Sequence, residues 1–255
     1  RKWLNAMAPT NYFWTNPVAM RKAVETNGES LAKGFQNLVA DVKAGNVRLA
    51  SPEDFKVGKN LATTAGDVVY RNKMLEVIRY RPQAQVHLVP IVIVTPWINK
   101  FYILDLNAKK SLVAFLVGQG FDVYITSWKN PDESMRDIAF DDYLMDGIGQ
   151  AIAVARDISG ASVVNAVGYC IGGAALATYL AWANAHYPAD KVPIQSATFF
   201  TTLVDYRKPG DIEVFLDEAS YKRLSRAMER KGFLDGKEMA ASFRLLRSNS
   251  LIWHY

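Results

Sequence analysis

Residues 163–187 read VVNAVGYCIGGAALATYLAWANAHY, and this stretch decides the fold. An apolar run (Val163, Val164, Ala166, Val167) has the character of a strand and meets Gly168-Tyr169-Cys170-Ile171-Gly172-Gly173. Leu176, Thr178, Tyr179, Leu180 and Trp182 then lie in a helical stretch. The order is strand, tight turn, helix, with one reactive side chain, Cys170, at the apex.

A strand that reverses straight into a helix forces strained backbone angles on its apex residue. Small flanking residues relieve the crowding, which accounts for Gly168 and Gly172 two positions either side of Cys170. Gly173 lets the new helix pack closely on its strand. The apex side chain stands clear of the backbone at the carboxyl edge of the sheet, beside a helix N-terminus whose partial positive charge favours an anion. The Ile171 amide points the same way and can hold an oxyanion. A lone cysteine is otherwise a small core hydrophobe. The glycine spacing between strand and helix favours the nucleophile over that alternative.

Half of the 255 residues are hydrophobic, enough for one large domain or a catalytic core with an appendage. A single cysteine forms no internal disulfide and points to a reducing, cytoplasmic setting. The formal charge of +5, with both signs interspersed, suits a polyanionic small molecule. It does not indicate nucleic acid, since no basic stripe alternates with exposed aromatics. No apolar run approaches the ~20 residues of a membrane span. There is no signal-peptide pattern, phosphate-binding loop or metal-ligand cluster.

Around the elbow, the chain alternates. Helices are predicted over 17–26, with Asn16 as cap and Pro17 in the first turn, and over 29–43, ended by Gly45. The second carries Leu31, Phe35, Leu38, Val39 and Val42 on one face, better suited to packing on a core than to a membrane or granule surface. Strands are predicted over 68–71 and 74–80 around a turn at Asn72-Lys73, over 89–94, over 121–128 and over 195–203. Helices fill 109–118 and 140–158. This alternation implies a mostly parallel sheet with right-handed crossovers. From residue 207 the pattern turns helical and charged. Lys222, Arg226 and Arg230 share one helix face, read as solvated in preference to an acidic-partner site. The domains expected are a helical segment over 1–66, a core over 67–206 and a cap region over 207–255.

A thiol nucleophile needs a base. His186 lies 16 positions along the elbow helix, roughly 24 Å away at 1.5 Å per residue. His87 precedes its strand at the opposite sheet edge, and His254 falls in the cap region. Asp205 ends the strand after the elbow helix and suits a turn cap better than a triad acid. The base and acid are therefore expected beyond residue 255.

These residues resemble the bacterial polyhydroxyalkanoate synthases. The likeness rests on 168–173 (GYCIGG), 95–106 (TPWINKFYILDL), 6–17 (AMAPTNYFWTNP), 58–71 (GKNLATTAGDVVYR), 127–132 (SWKNPD) and 246–255 (LRSNSLIWHY). Tyr169 matches the short-chain-monomer class. The chain departs from the family at Ala174, where Thr is usual, and at Ser250, where Asp is expected.

The resemblance implies an α/β-hydrolase-type, mostly parallel sheet, an internal fragment whose last strands and triad Asp and His follow residue 255. It implies an acyltransferase that polymerises (R)-3-hydroxyacyl-coenzyme A through a thioester on Cys170, releasing coenzyme A, with no cofactor. Ile171 and Ile98 would supply the oxyanion amides, and Asp132 would brace the loop after its strand. The implied partners are the growing polyester, the granule surface and a second subunit in a homodimer. The fragment alone is expected to be inactive. The alternatives are a cysteine hydrolase of the dienelactone type and a non-catalytic interaction module.

Overall fold

The computed structural model describes residues 7–45, 54–207, 210 and 217–236. Trp3, Ser250, His254 and the whole of 246–255 lie outside the described residues. The chain divides into two compact units, 1–54 with 241–255, and 55–240.

In the first unit, Asn16 caps α1 (Pro17–Glu25), its side-chain oxygen accepting from Val18 N and Ala19 N at 3.0 and 3.2 Å. Gly28, at φ 84°, separates α1 from α2 (Glu29–Ala44), and Gly45 ends α2 at φ 64°, a conformation glycine adopts without cost. The apolar face of α2, expected on a core, stands exposed: Phe35 at 67% and Val42 at 72%.

The second unit is built on a sheet. β1 (Gly66–Arg71) and β2 (Leu75–Tyr80) form a hairpin whose turn is closed by Asn72 Oδ1, accepting from Met74 N and Leu75 N. β3 is Ile91–Val94. β4 (Asp105–Asn107) pairs with β5 (Lys110–Ser111), so the helix expected from 109 starts only at Leu112. That helix, α3 (Leu112–Gly118), is capped by Ser111 Oγ, which accepts from Ala114 N at 2.8 Å. β6 (Val123–Trp128) follows.

The helix expected over 140–158 comes in three pieces: α4 (Phe140–Asp142), a π run (Tyr143–Gly149) and α5 (Gln150–Ser159). Gly147 within the π run lies flat on Trp128, where a Cβ would come within 2.6 Å of the ring. β7 (Val164–Tyr169) leads into α6 (Ile171–His186). β8 (Ile194–Phe200) stops three residues short of the expected end because Thr201 turns the chain at φ 46°. Asp217 caps α7 (Glu218–Lys231).

The order is β1-β2-β6-β3-β7-β8, with β6, β3, β7 and β8 parallel and the hairpin antiparallel at one side. Alternation sorts the buried residues to two faces. Val92 and Val94 pack with Ile148, Ile152, Leu176 and Tyr179 under α5 and α6, while Ile91 and Ile93 pack with Val113, Val123 and Ile125 under α3. Burying each Val or Ile contributes roughly 1.5–3 kcal/mol. Both faces are covered, which is why β3 is apolar throughout.

The seam between hairpin and parallel strands is locked by Arg79, bidentate on Asp122 at 2.9 and 3.0 Å, and that bond raises the guanidinium pKa. The sheet with its strand-turn-helix elbow is of the α/β-hydrolase type. No helix among the described residues is long and apolar enough to cross a membrane.

Candidate active site

Cys170 sits between β7 and α6 at φ 55° and ψ −124°, a strained conformation for a residue with a side chain. Three neighbours hold it there. Its own N–H donates to the Phe200 carbonyl at 2.9 Å, and its carbonyl accepts from Gly173 N and Ala174 N at 3.0 and 3.2 Å. The backbone is fixed from both sides and the side chain is exposed. The Ile171 N–H, first in α6, has no acceptor among the described residues.

Each glycine around the thiol answers to a different neighbour. A Cβ on Gly168 would come within 2.5 Å of Gly173 Cα, so strand and helix touch through these two residues. A Cβ on Gly172 would lie 2.5 Å from the Val94 carbonyl oxygen and 2.6 Å from that of Thr95. A Cβ on Gly173 would strike the Thr202 side chain. Gly173 therefore makes room for Thr202 as well as for its strand. Thr202 Oγ1 also donates to the Phe200 carbonyl at 3.1 Å.

The Gly172 contact brings the loop after β3 onto the elbow. This loop, 95–100, starts beside the elbow because β3 and β7 run parallel with Val94 opposite Gly168. Buried Thr95 anchors it: its N–H donates to Thr126 Oγ1 at 3.0 Å and its hydroxyl to the Thr126 carbonyl at 2.7 Å. The Thr95 carbonyl accepts from Trp128 Nε1 at 2.7 Å. Trp97 lies against Tyr143 at 4.9 Å between ring centroids, and against Trp128 at 6.1 Å. Lys100 Nζ donates to Asn130 Oδ1 at 2.8 Å, joining the loop to the one after β6. Ile98 is 39% exposed, and its N–H has no acceptor among the described residues. Two amides without an acceptor among the described residues, one at the start of α6 and one in the loop after β3, thus belong to the same sheet edge as the thiol.

Asp132 faces its own loop. Its carboxylate accepts from Ser134 N at 3.0 Å and pairs with Lys129 Nζ at 2.8 Å. The lysine, then the serine, pull its carboxyl down to about 2. Asp205 is likewise occupied, accepting from Arg207 N at 3.0 Å and Arg207 Nε at 2.9 Å, which lowers its pKa. It caps a turn.

The described histidines are held elsewhere. His87 Nε2 donates to the Gln119 carbonyl at 3.1 Å, and its backbone N–H to that of Gly120 at 2.8 Å, both ahead of β6 and so at the amino edge. His186 Nδ1 donates to the Trp182 carbonyl at 2.8 Å, at the far end of α6, and its ring stacks on Trp182. The structure brings together Cys170, Ile171 and the start of the loop that carries Ile98, and no described histidine joins them.

Sequence reasoning missed the Thr95–Thr126–Trp128 bonds and the Tyr143 contact to Trp97. A signal for the first was present, since Thr95 directly follows an apolar strand and Thr126 lies within a mostly apolar one.

The family model described as "Poly-beta-hydroxybutyrate polymerase (PhaC) N-terminus" matches residues 1–116. A poly(3-hydroxyalkanoate) polymerase of Methylorubrum extorquens is 43% identical over 100% of this chain and 42% of its own length. The poly(3-hydroxyalkanoate) polymerase subunit PhaC of Cupriavidus necator is 40% identical over 100% of this chain and 44% of its own length. The chain thus spans less than half the length of these curated relatives. Among solved structures, an alpha/beta hydrolase enzyme from a lagoon-sediment metagenome aligns over 65% of each chain at 13% identity and a TM-score of 0.34.

Proposed function

We propose that this chain, which belongs to the poly(3-hydroxyalkanoate) polymerase family, carries the acyl-accepting part of a polyester synthase that uses (R)-3-hydroxyacyl-coenzyme A. The observation that supports it is the exposed Cys170 thiol on a strained elbow beside an unpaired helix-terminal amide.

In this reading the Cys170 sulfur, once deprotonated, attacks the thioester carbonyl of the monomer. The carbonyl π electrons move to oxygen, and the N–H groups of Ile171 and Ile98 hold that oxyanion. Collapse breaks the bond to the coenzyme A sulfur, which leaves as a thiolate and takes up a proton. The acyl group then sits on Cys170 as a thioester. Attack by the hydroxyl of a second hydroxyacyl unit forms an ester bond and frees the cysteine. Sulfur suits both steps because a thiolate is a good nucleophile and a good leaving group.

Neither His87 nor His186 can move these protons, so the base lies outside the described residues. The family resemblance assigns it to a histidine, oriented by an aspartate, in the part of the relatives that this chain does not span. Asp132 contributes by keeping the loop after β6 in shape. The same reading has the complete enzyme work without a cofactor, as a cytoplasmic homodimer at the polyester granule surface.

Incubation of the chain with (R)-3-hydroxybutyryl-coenzyme A and mass spectrometry tests this. The expected result is a hydroxybutyryl adduct on Cys170, absent in Cys170→Ala, without polymer. Free acid released catalytically would mean a hydrolase instead. Reaction of Cys170 with iodoacetamide only after denaturation would sink the nucleophile assignment and leave an interaction module.

A further inference from the structure

The geometry points to a second binding site, for an anion carried on an aromatic or apolar body, between α5, α6 and the turn that leads into β8. A cavity of about 410 Å³ opens there. Its walls are Tyr179, Trp182 and Tyr187 from α6 and its end, and Gly149 and Arg156 from the facing helix, with Lys191 at the turn. Tyr187 follows the last residue of α6 and Cys170 precedes the first, so the 16-residue helix sets that end of the cavity roughly 24 Å from the thiol. The acyl chemistry does not account for it.

Arg156 supplies the main argument. Its Nε is shut off from solvent and meets no hydrogen-bond acceptor. A buried donor left without a partner is costly, and native structures rarely keep one. A guanidinium presents its donors as a fork that fits a carboxylate or a phosphate in two places at once. Lys191 adds a second cation, shared at 3.7 Å with Asp190, and no carboxylate lines the cavity among the described residues.

The apolar half of the ligand follows from the walls. Tyr179 is 4% exposed, and Trp182 is flanked by Tyr179 and Tyr187 at 5.9 and 5.5 Å between centroids. Gly149 leaves space beside the Tyr179 ring, where a Cβ would come to 3.5 Å. Aromatic walls with one convergent charged group are the usual make-up of a small-molecule pocket.

Titration of the chain with phenyl phosphate and with 3-phenylpropanoate, by calorimetry and tryptophan fluorescence, tests the assignment. We expect saturable binding of at least one anion, and the tighter of the two identifies the head group. The neutral 3-phenylpropanol should bind about tenfold more weakly or worse, as should either anion to Arg156→Met, because the charge-assisted fork is lost. Arg156→Lys keeps the charge without the fork and carries the test if Arg156→Met fails to fold. Trp182→Phe should abolish the fluorescence change while the heat of binding persists, and Arg226→Met on α7 should change nothing. Absence of saturation by both anions overturns the site, as does equal binding of the neutral alcohol or of Arg156→Lys.

Discussion

The elbow and the loop after β3 stand at one edge of the sheet, and they are held there by different means. At the elbow the backbone does the work. Cys170 is held at positive φ by bonds to Phe200, Gly173 and Ala174, and three glycines leave the space that conformation needs. In the loop the side chains do the work. Thr95 is tied to Thr126 and Trp128, and Trp97 is wedged against Tyr143. In the proposed reading the site therefore combines one oxyanion donor held by backbone geometry with another held by packing, and substitutions should affect the two differently.

The largest effect expected is at Gly172. Its added methyl would meet backbone oxygen of Val94 and Thr95, which cannot move aside, so Gly172→Ala should lose about 3 kcal/mol in denaturant unfolding. Gly173→Ala meets the Thr202 side chain at Oγ1, Cγ2 and Cβ, so that residue must shift as a whole, and the variant should lose about 2 kcal/mol. Equal losses would mean that backbone crowding does not govern the elbow.

Trp97→Ala addresses the loop alone. Its rate of Cys170 acylation should fall about tenfold, a fraction of what removing an oxyanion donor outright costs. Alkylation of the same thiol by iodoacetamide, which develops no oxyanion, should be unchanged. Thr95→Val removes the hydroxyl bond to the Thr126 carbonyl and should cost about 1–2 kcal/mol in stability.

Asp132 should give the smallest effect. Its carboxyl is lowered to about 2, so its pairing with Lys129 and Ser134 is complete above the usual carboxylate range and is lost as pH falls through about 2. A carboxyl carbon titration by NMR with its midpoint near 4 would show that the loop is not held as described.

This division also explains what could be read from the sequence. The elbow was legible because crowding at a strand-to-helix reversal leaves glycines at fixed spacing from Cys170. The strands were legible because two-sided burial makes β3 apolar throughout and β6 nearly so. The clamp on Trp97 was not, because Tyr143 and Trp128 come from distant positions and a π run carries no periodicity separable from that of a helix. The β4–β5 hairpin was too short to show itself against the helix at 112. The exposed face of α2 was read as a core face, because periodicity marks a face without saying what covers it.

The π run between α4 and α5 has one consequence of its own. A π turn holds about one residue more than an α turn. Were 143–149 to relax to α geometry with no residue removed, everything beyond it would rotate by roughly 100°, the angle of one α-helical residue, whereas deleting one residue there would restore α geometry and keep the phase. Tyr143 at its start touches Trp97, while Gly149 at its end belongs to the cavity beside Arg156. The wide turn is thus a phase setting, and it decides which way each end of the helix faces.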